Sequence, residues 1–157
     1  MKKTKYVLVT LLCLITMLGF AGCRKNKKAI SADEFCTKME NKSFTTTDST
    51  SQYATSKEIT ESYIAISKDY SYQIEFIVLD SADAASSMFE KNKSTFESEN
   101  SVKAVRTSTS LANYSKYTLL ANGKYKVLSR IDNTLIYINA NSDYKDEINS
   151  ILDNLGY

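Results

Sequence analysis

Asn122-Gly123, set between the runs Tyr114–Ala121 and Lys124–Ile131, constrains this chain more than any other pair of residues. Both positions of a two-residue hairpin turn need positive φ, and Asn followed by Gly is the pair that adopts it most readily. The flanking runs therefore become antiparallel strands. A second turn at Asp132-Asn133 adds Thr134–Ala140 as a third strand. Asn141-Ser142 then caps a helix whose Tyr144, Ile148, Ile151, Leu152 and Leu155 share one face, and Gly156 stops it.

The first half of the chain follows a similar plan. Tyr63–Ser67 and Tyr72–Leu79 form a hairpin about the turn Lys68-Asp69-Tyr70-Ser71. In the second strand Tyr72, Ile74, Phe76 and Val78 alternate with polar Gln73 and Glu75. Asp80-Ser81 offers an N-cap for a helix over 82–97, with Ala85, Met88, Phe89 and Phe96 as its apolar stripe. Upstream, Ser31-Ala32-Asp33-Glu34 has the form of a capping box and opens a helix over 32–41. Residues 43–48 read as an edge strand, 49–58 as a loop, and 102–109 as a weak strand. These patterns predict an α+β domain: an antiparallel sheet with helices packed on one face, built as two hairpin-plus-helix halves.

Composition removes several functions. The chain has no His, no Trp and no Pro among its 157 residues. Without His there is no Ser-His-Asp or Cys-His catalysis and no His-ligated metal. Its three Cys are too few for a four-cysteine zinc site. The formal net charge of +2 is not that of a nucleic-acid binder. Ser142-Asp143-Tyr144-Lys145 has a Ser-x-x-Lys spacing, but Ser142 stands where a helix cap is needed. Asn139, Asn141 and Asp143 alternate as at the start of a calcium loop, yet the sixth position is Tyr144 and the twelfth is Ser150. The acidic pairs Asp80/Asp83, Glu97/Glu99 and Asp146/Glu147 lie at expected helix ends. The reading is of a non-enzyme with no metal and no cofactor.

The N-terminus carries an address. Lys2, Lys3 and Lys5 precede an uncharged run from Tyr6 to Phe20, and Ala21-Gly22-Cys23 follows. This is the three-part pattern of a secretory signal, with an apolar run too short to span a bilayer. Phe20-Ala21-Gly22-Cys23 resembles the lipobox of bacterial lipoproteins, whose common form is Leu-Ala-Gly-Cys; here the first residue is Phe. The resemblance implies cleavage before Cys23, attachment of a lipid such as palmitate to its thiol, and anchoring on the extracytoplasmic face of the cell membrane. With its Lys/Asn/Ser/Thr/Tyr-rich composition, the chain resembles small lipoproteins of low-GC Gram-positive bacteria, a resemblance that brings no activity with it.

The expected organisation is then a signal peptide over 1–22, a lipidated basic tether over 23–30 and one domain over 31–157. Arg24, Lys25, Lys27 and Lys28 make the tether basic, and four such charges beside a lipid favour anionic headgroups. From Ala29 onward 13 basic groups face 18 acidic ones, a net charge of −5. Cys36 remains the lone thiol of the domain and reads as a small buried residue. Tyr70, Tyr114 and Tyr117, close to turns, are the candidate binding surface, since a rigid ring with a polar tip suits recognition. The expected role is binding or interaction with an envelope protein, a polymer or a small ligand. The alternative is a regulatory or inhibitory lipoprotein acting on a membrane neighbour. A carboxylate- or Tyr-dependent enzyme stands behind both.

Overall fold

The computed structural model describes residues 26–98 and 103–157. In chain order they form α1 (Ala32–Glu40), β1 (Thr45–Asp48), β2 (Ile59–Ile66), β3 (Gln73–Leu79) and α2 (Ala82–Ser98). There follow β4 (Val105–Ser110), β5 (Tyr114–Ala121), β6 (Lys124–Ile131), β7 (Thr134–Asn141) and α3 (Lys145–Leu155). Short 3₁₀ turns occupy Thr50–Tyr53 and Ser142–Tyr144. The seven strands make one antiparallel sheet in the order β1-β2-β3-β7-β6-β5-β4. The α+β class is as the sequence predicts.

Local chemistry sets the elements. The Ser31 hydroxyl accepts the Glu34 N–H at 3.1 Å and opens α1. Ser81 does the same for Ala84 at 3.1 Å and opens α2. Asn141, not Ser142, supplies the side-chain cap before α3, accepting from the Asp143 N–H at 3.1 Å. Asn122 and Gly123 take φ of 51° and 71°, and Gly156 closes α3 at φ 88°. In the second turn Asp132 takes φ 48°.

The helices do not share a face. α1 and α3 cover one side of the sheet, here the front, with Phe35, Met39, Ile148 and Leu152 packed on Ile74, Phe76, Ile136 and Ile138. α2 covers the back, with Ala85, Phe89 and Phe96 on Ile77, Leu128 and Leu135. One-sided packing fails because the central strands are apolar on both sides. Across β6, β7, β3 and β2 the row Val127–Ile138–Ile74–Ala65 belongs to the front. One residue along, Leu128 lies beside Tyr137 on the back. A single layer of helices would leave Leu128 and Leu135, both fully buried, in water.

This division also separates the two hairpin-plus-helix halves. A two-fold relating the antiparallel neighbours β3 and β7 would run normal to the sheet and keep the following helices on one face. Because α2 and α3 lie on opposite faces, the halves share an order of elements and not a rotated copy of one unit.

The strand directions define two ends. Residues 111–113, the β6–β7 turn and the C-terminus of α3 lie together at one end; Lys27 docks there. The β2–β3 turn, residues 42–44 and the start of α3 lie at the other. Eight-residue strands such as β7 hold the ends roughly 26 Å apart.

Candidate functional site

The far end carries a groove built from three separate segments. After α1 the chain turns sharply: Ser43 takes φ 66°, and the Phe44 N–H returns to the Met39 carbonyl at 3.1 Å. This places Lys42 on the rim and Phe44 against the core. The β2–β3 turn is organised by Ser67, whose hydroxyl accepts from the backbone N–H groups of Ser71 (3.0 Å) and Tyr72 (3.2 Å). It donates to Asp69 at 2.9 Å, and the Ser71 hydroxyl donates to the same carboxylate oxygen at 2.7 Å. These bonds, Ser71 first, hold the Asp69 carboxyl below its usual range. α3 contributes Tyr144 and Glu147.

Together these segments enclose a groove of about 490 Å³, lined by Lys42, Phe44, Lys68, Asp69, Tyr72, Tyr144 and Glu147 among others. A second hollow of about 300 Å³ continues along α3 to Ser150 and Ile151 and shares Lys42, Phe44 and Glu147. The floor is aromatic. Phe44 meets Tyr72 edge-on at 5.7 Å, and Tyr72 meets Tyr144 at 5.0 Å. The Tyr72 hydroxyl donates to Glu147 at 2.8 Å. Burial first, and then the Glu147 carboxylate, push the Tyr72 phenol far above its ordinary range, so it is a fixed donor at any physiological pH. The groove thus offers an apolar ring floor, two carboxylates held by hydroxyls, and two lysines on its rim. The size suits a small ligand or a segment of polymer.

The residues that the sequence pointed to are dispersed. Tyr70 is 81% exposed at φ 59° on the β2–β3 turn beside the groove. Tyr114 is buried on the front at the Lys27 end, and Tyr117 is buried on the back; neither belongs to a binding surface. Their strand β5 lies inside the sheet between β4 and β6, and positions three apart point to opposite faces, so proximity to a turn does not expose them. Lys27 is docked and not a solvated tether charge. The Asn113 amide makes two bonds to its backbone, accepting the N–H at 3.2 Å and donating to the carbonyl at 2.6 Å. The Lys27 ammonium donates to the Gly156 carbonyl at 3.0 Å and stands 3.9 Å from the Tyr114 ring centroid. Ile30 is buried, so packed structure starts before the domain boundary expected at 31. Lys28 is exposed. Cys23, Arg24 and Lys25 lie outside the described residues, as do Val102 and Glu99.

Cys36 is half-buried, and burial pushes its thiol up, away from thiolate chemistry. Among the described residues no three His, Cys, Asp or Glu side chains are grouped to hold a metal ion. No described helix is long and apolar enough to cross a membrane. Sequence reasoning missed Phe44, Tyr72 and Tyr144 as one site because they are far apart in the chain. Glu147, the second of an adjacent acidic pair, carried a weak signal.

No protein-family model matches this chain, and no curated protein does. Among solved structures, the extracellular domain of PknH from Mycobacterium tuberculosis aligns with 81% of this chain and 92% of its own length, at 13% identity and a TM-score of 0.39. A likeness that remote carries no argument about this chain's role.

Proposed function

We propose that this chain is a lipid-anchored extracytoplasmic binding domain, held to the cell membrane through Cys23, and that its far-end groove takes a sugar-bearing envelope polymer. The observation that supports it most is the placement of the groove. The chain docks at Lys27, four residues after Cys23, and the groove sits at the opposite end of the strands. Sugar rings combine apolar C–H faces with hydroxyls of both hydrogen-bonding senses. The Phe44–Tyr72–Tyr144 floor suits the former, and Asp69, Glu147, Lys42 and Lys68 suit the latter. Both carboxylates are already engaged by hydroxyl groups, which favours recognition over acid–base catalysis. The basic residues Arg24, Lys25 and Lys28 would stand next to anionic headgroups.

Two measurements test this reading. Membranes from cells fed an alkyne fatty acid should label the wild-type chain and not Cys23→Ala; equal labelling of both would remove the anchor. The detergent-solubilised full chain should co-sediment with insoluble cell-wall glycan, and Tyr144→Ala or Lys42→Ala should weaken that at least tenfold. Undiminished binding in both variants would take the groove out of the reading.

A further inference from the structure

A seven-stranded sheet has two edges, and they are treated differently. β1 is four residues long and is tied to α1 by the Thr46 hydroxyl, which donates to Glu40 at 2.6 Å. β4 is six residues long, and each one is exposed, so neither face of this strand is covered. Its sequence, Val-Arg-Thr-Ser-Thr-Ser, contains no Lys and no Pro to blunt it. Edges of this kind are templates for another strand.

The hydrogen-bond register says which groups are free. Leu111 and Tyr114 exchange both backbone bonds, at 2.7 and 3.4 Å. Bonded pairs alternate in an antiparallel ladder, so Thr109, Thr107 and Val105 also bond to β5. Arg106, Ser108 and Ser110 therefore turn their N–H and C=O groups outward. Three large apolar side chains are exposed among the described residues, and two of them, Val105 at 62% and Leu111 at 43%, stand at the two ends of this strand. They are six positions apart and so project toward the same face.

We infer that β4 is the docking edge for a second copy of this chain, paired antiparallel about a two-fold axis at Ser108. In that register Ser108 faces its own copy, Arg106 faces Ser110, and all three outward residues meet outward residues, giving six backbone hydrogen bonds. Val105 then lies directly opposite the partner's Leu111, twice over, so the exposed apolar pair covers itself. A slip of the pairing in either direction leaves an outward residue without an outward partner in the strand. A slip that centres the axis on Arg106 also sets two guanidinium groups face to face. The facing of Val105 on the partner's Leu111, two of the three exposed large apolar side chains among the described residues, is what favours a second copy over an unrelated peptide. The axis runs normal to the sheet, so the two Lys27 ends point in opposite directions along the strands. Two anchored copies meet this way on one bilayer when the joined sheet lies along it.

Full-length chain in native membranes, carrying Cys36→Ser, tests the pairing by oxidation of introduced cysteines. Ser108→Cys should give a disulfide dimer, because the axis places the two Cα atoms about 5.5 Å apart, within disulfide range. Thr47→Cys on the other edge, and Ser110→Cys, which sits four positions from its own copy, should give at least tenfold less. A Thr107→Cys/Thr109→Cys chain should also crosslink, and adding Ser108→Pro should cut that yield at least tenfold. The Ser108 N–H points away from β5, so proline there takes no bond from the fold. Equal yields at the three single positions, no dimer at Ser108, or a Ser108→Cys adduct with a different protein would each overturn the assignment. A yield unchanged by Ser108→Pro would do the same.

Discussion

The two faces of the sheet solve the same problem by different means. The front is closed by two helices and by stacked rings: Phe35 lies flat on Phe76 at 4.8 Å, and Tyr157 meets Phe76 edge-on at 6.4 Å. The back is closed by α2 alone, and the area toward β5 is finished by long cationic side chains. Lys126 and Arg130 are more than nine-tenths buried there, with the Lys126 ammonium 5.0 Å from the Phe96 ring centroid. Where a helix is missing, the aliphatic stems of Lys and Arg cover apolar surface in its place. A rigid aromatic layer and a layer of cationic stems should respond differently to substitution.

The largest difference is expected at Phe76. Phe76→Ala should cost about 3–5 kcal/mol, the range for a buried aromatic ring. It should exceed Phe89→Ala on the back by about 1 kcal/mol, because Phe76 also loses two ring contacts. Urea melts of the two variants decide it, and a greater loss from Phe89→Ala would erase the contrast. Next is Leu152→Ala, at about 2–5 kcal/mol, since Leu152 is wholly buried between α3 and the front of the sheet. A thermal melt showing less than about 0.5 kcal/mol, the usual surface value, would mean that α3 is not part of the front core.

Alkaline pH should act mainly on the front. Tyr157 is pushed up to about 12 by burial, against the opposing bond with the Thr134 hydroxyl. Tyr72, Tyr114 and Tyr125, all on the front, are pushed up by burial as well. The native state then holds these protons more tightly than the unfolded chain, whose phenols titrate near 10. The stabilisation is complete below about pH 10 and falls as pH rises toward 12, by roughly 2 kcal/mol for Tyr157. The urea midpoint measured from pH 8 to 12 should fall, and Tyr157→Phe should flatten part of that fall. An unaltered slope would place the Tyr157 hydroxyl in water.

The smallest effect belongs to the back. Arg130 donates to the Asp132 carbonyl at 3.2 Å, while its Nε is buried with no partner. Arg130→Met keeps the stem and removes that unpaired donor, so stability should change by less than about 1 kcal/mol in either direction. A loss above about 2 kcal/mol would show that the guanidinium, and not its stem, closes this face.

These contrasts follow the line between what was legible in the sequence and what was not. Asn122-Gly123, Asp132-Asn133, Ser31 and Gly156 act through their own backbone, so turns and helix ends could be read from them to within a residue or two. Which face each helix covers was not legible. The stripes of α2 and α3 are alike, and the side is set by the path of each connection across the finished sheet. In β6, Lys126 and Arg130 look like solvent positions, yet both are buried in the folded sheet. Tyr114 and Tyr117 misled for the same reason, since a central strand hides both of its faces. The groove left almost no trace, because Phe44, Tyr72 and Tyr144 come from segments separated by about thirty and seventy residues.

The Asn113 clamp gives the molecule a mechanical grain. A pull transmitted through the residues before Lys27 first meets two parallel hydrogen bonds to one side-chain amide, and a lysine held to the end of α3. Behind them, in chain order, come α1 and then β1, which is an edge strand. The Asn113 amide also donates to Asp132 at 3.1 Å, so the clamp is tied to the β6–β7 turn as well as to the end of α3. Phe44 lies between α1 and β1 on the path from Lys27. The covalent path from Lys27 into the sheet thus runs through the groove floor before it reaches the first strand.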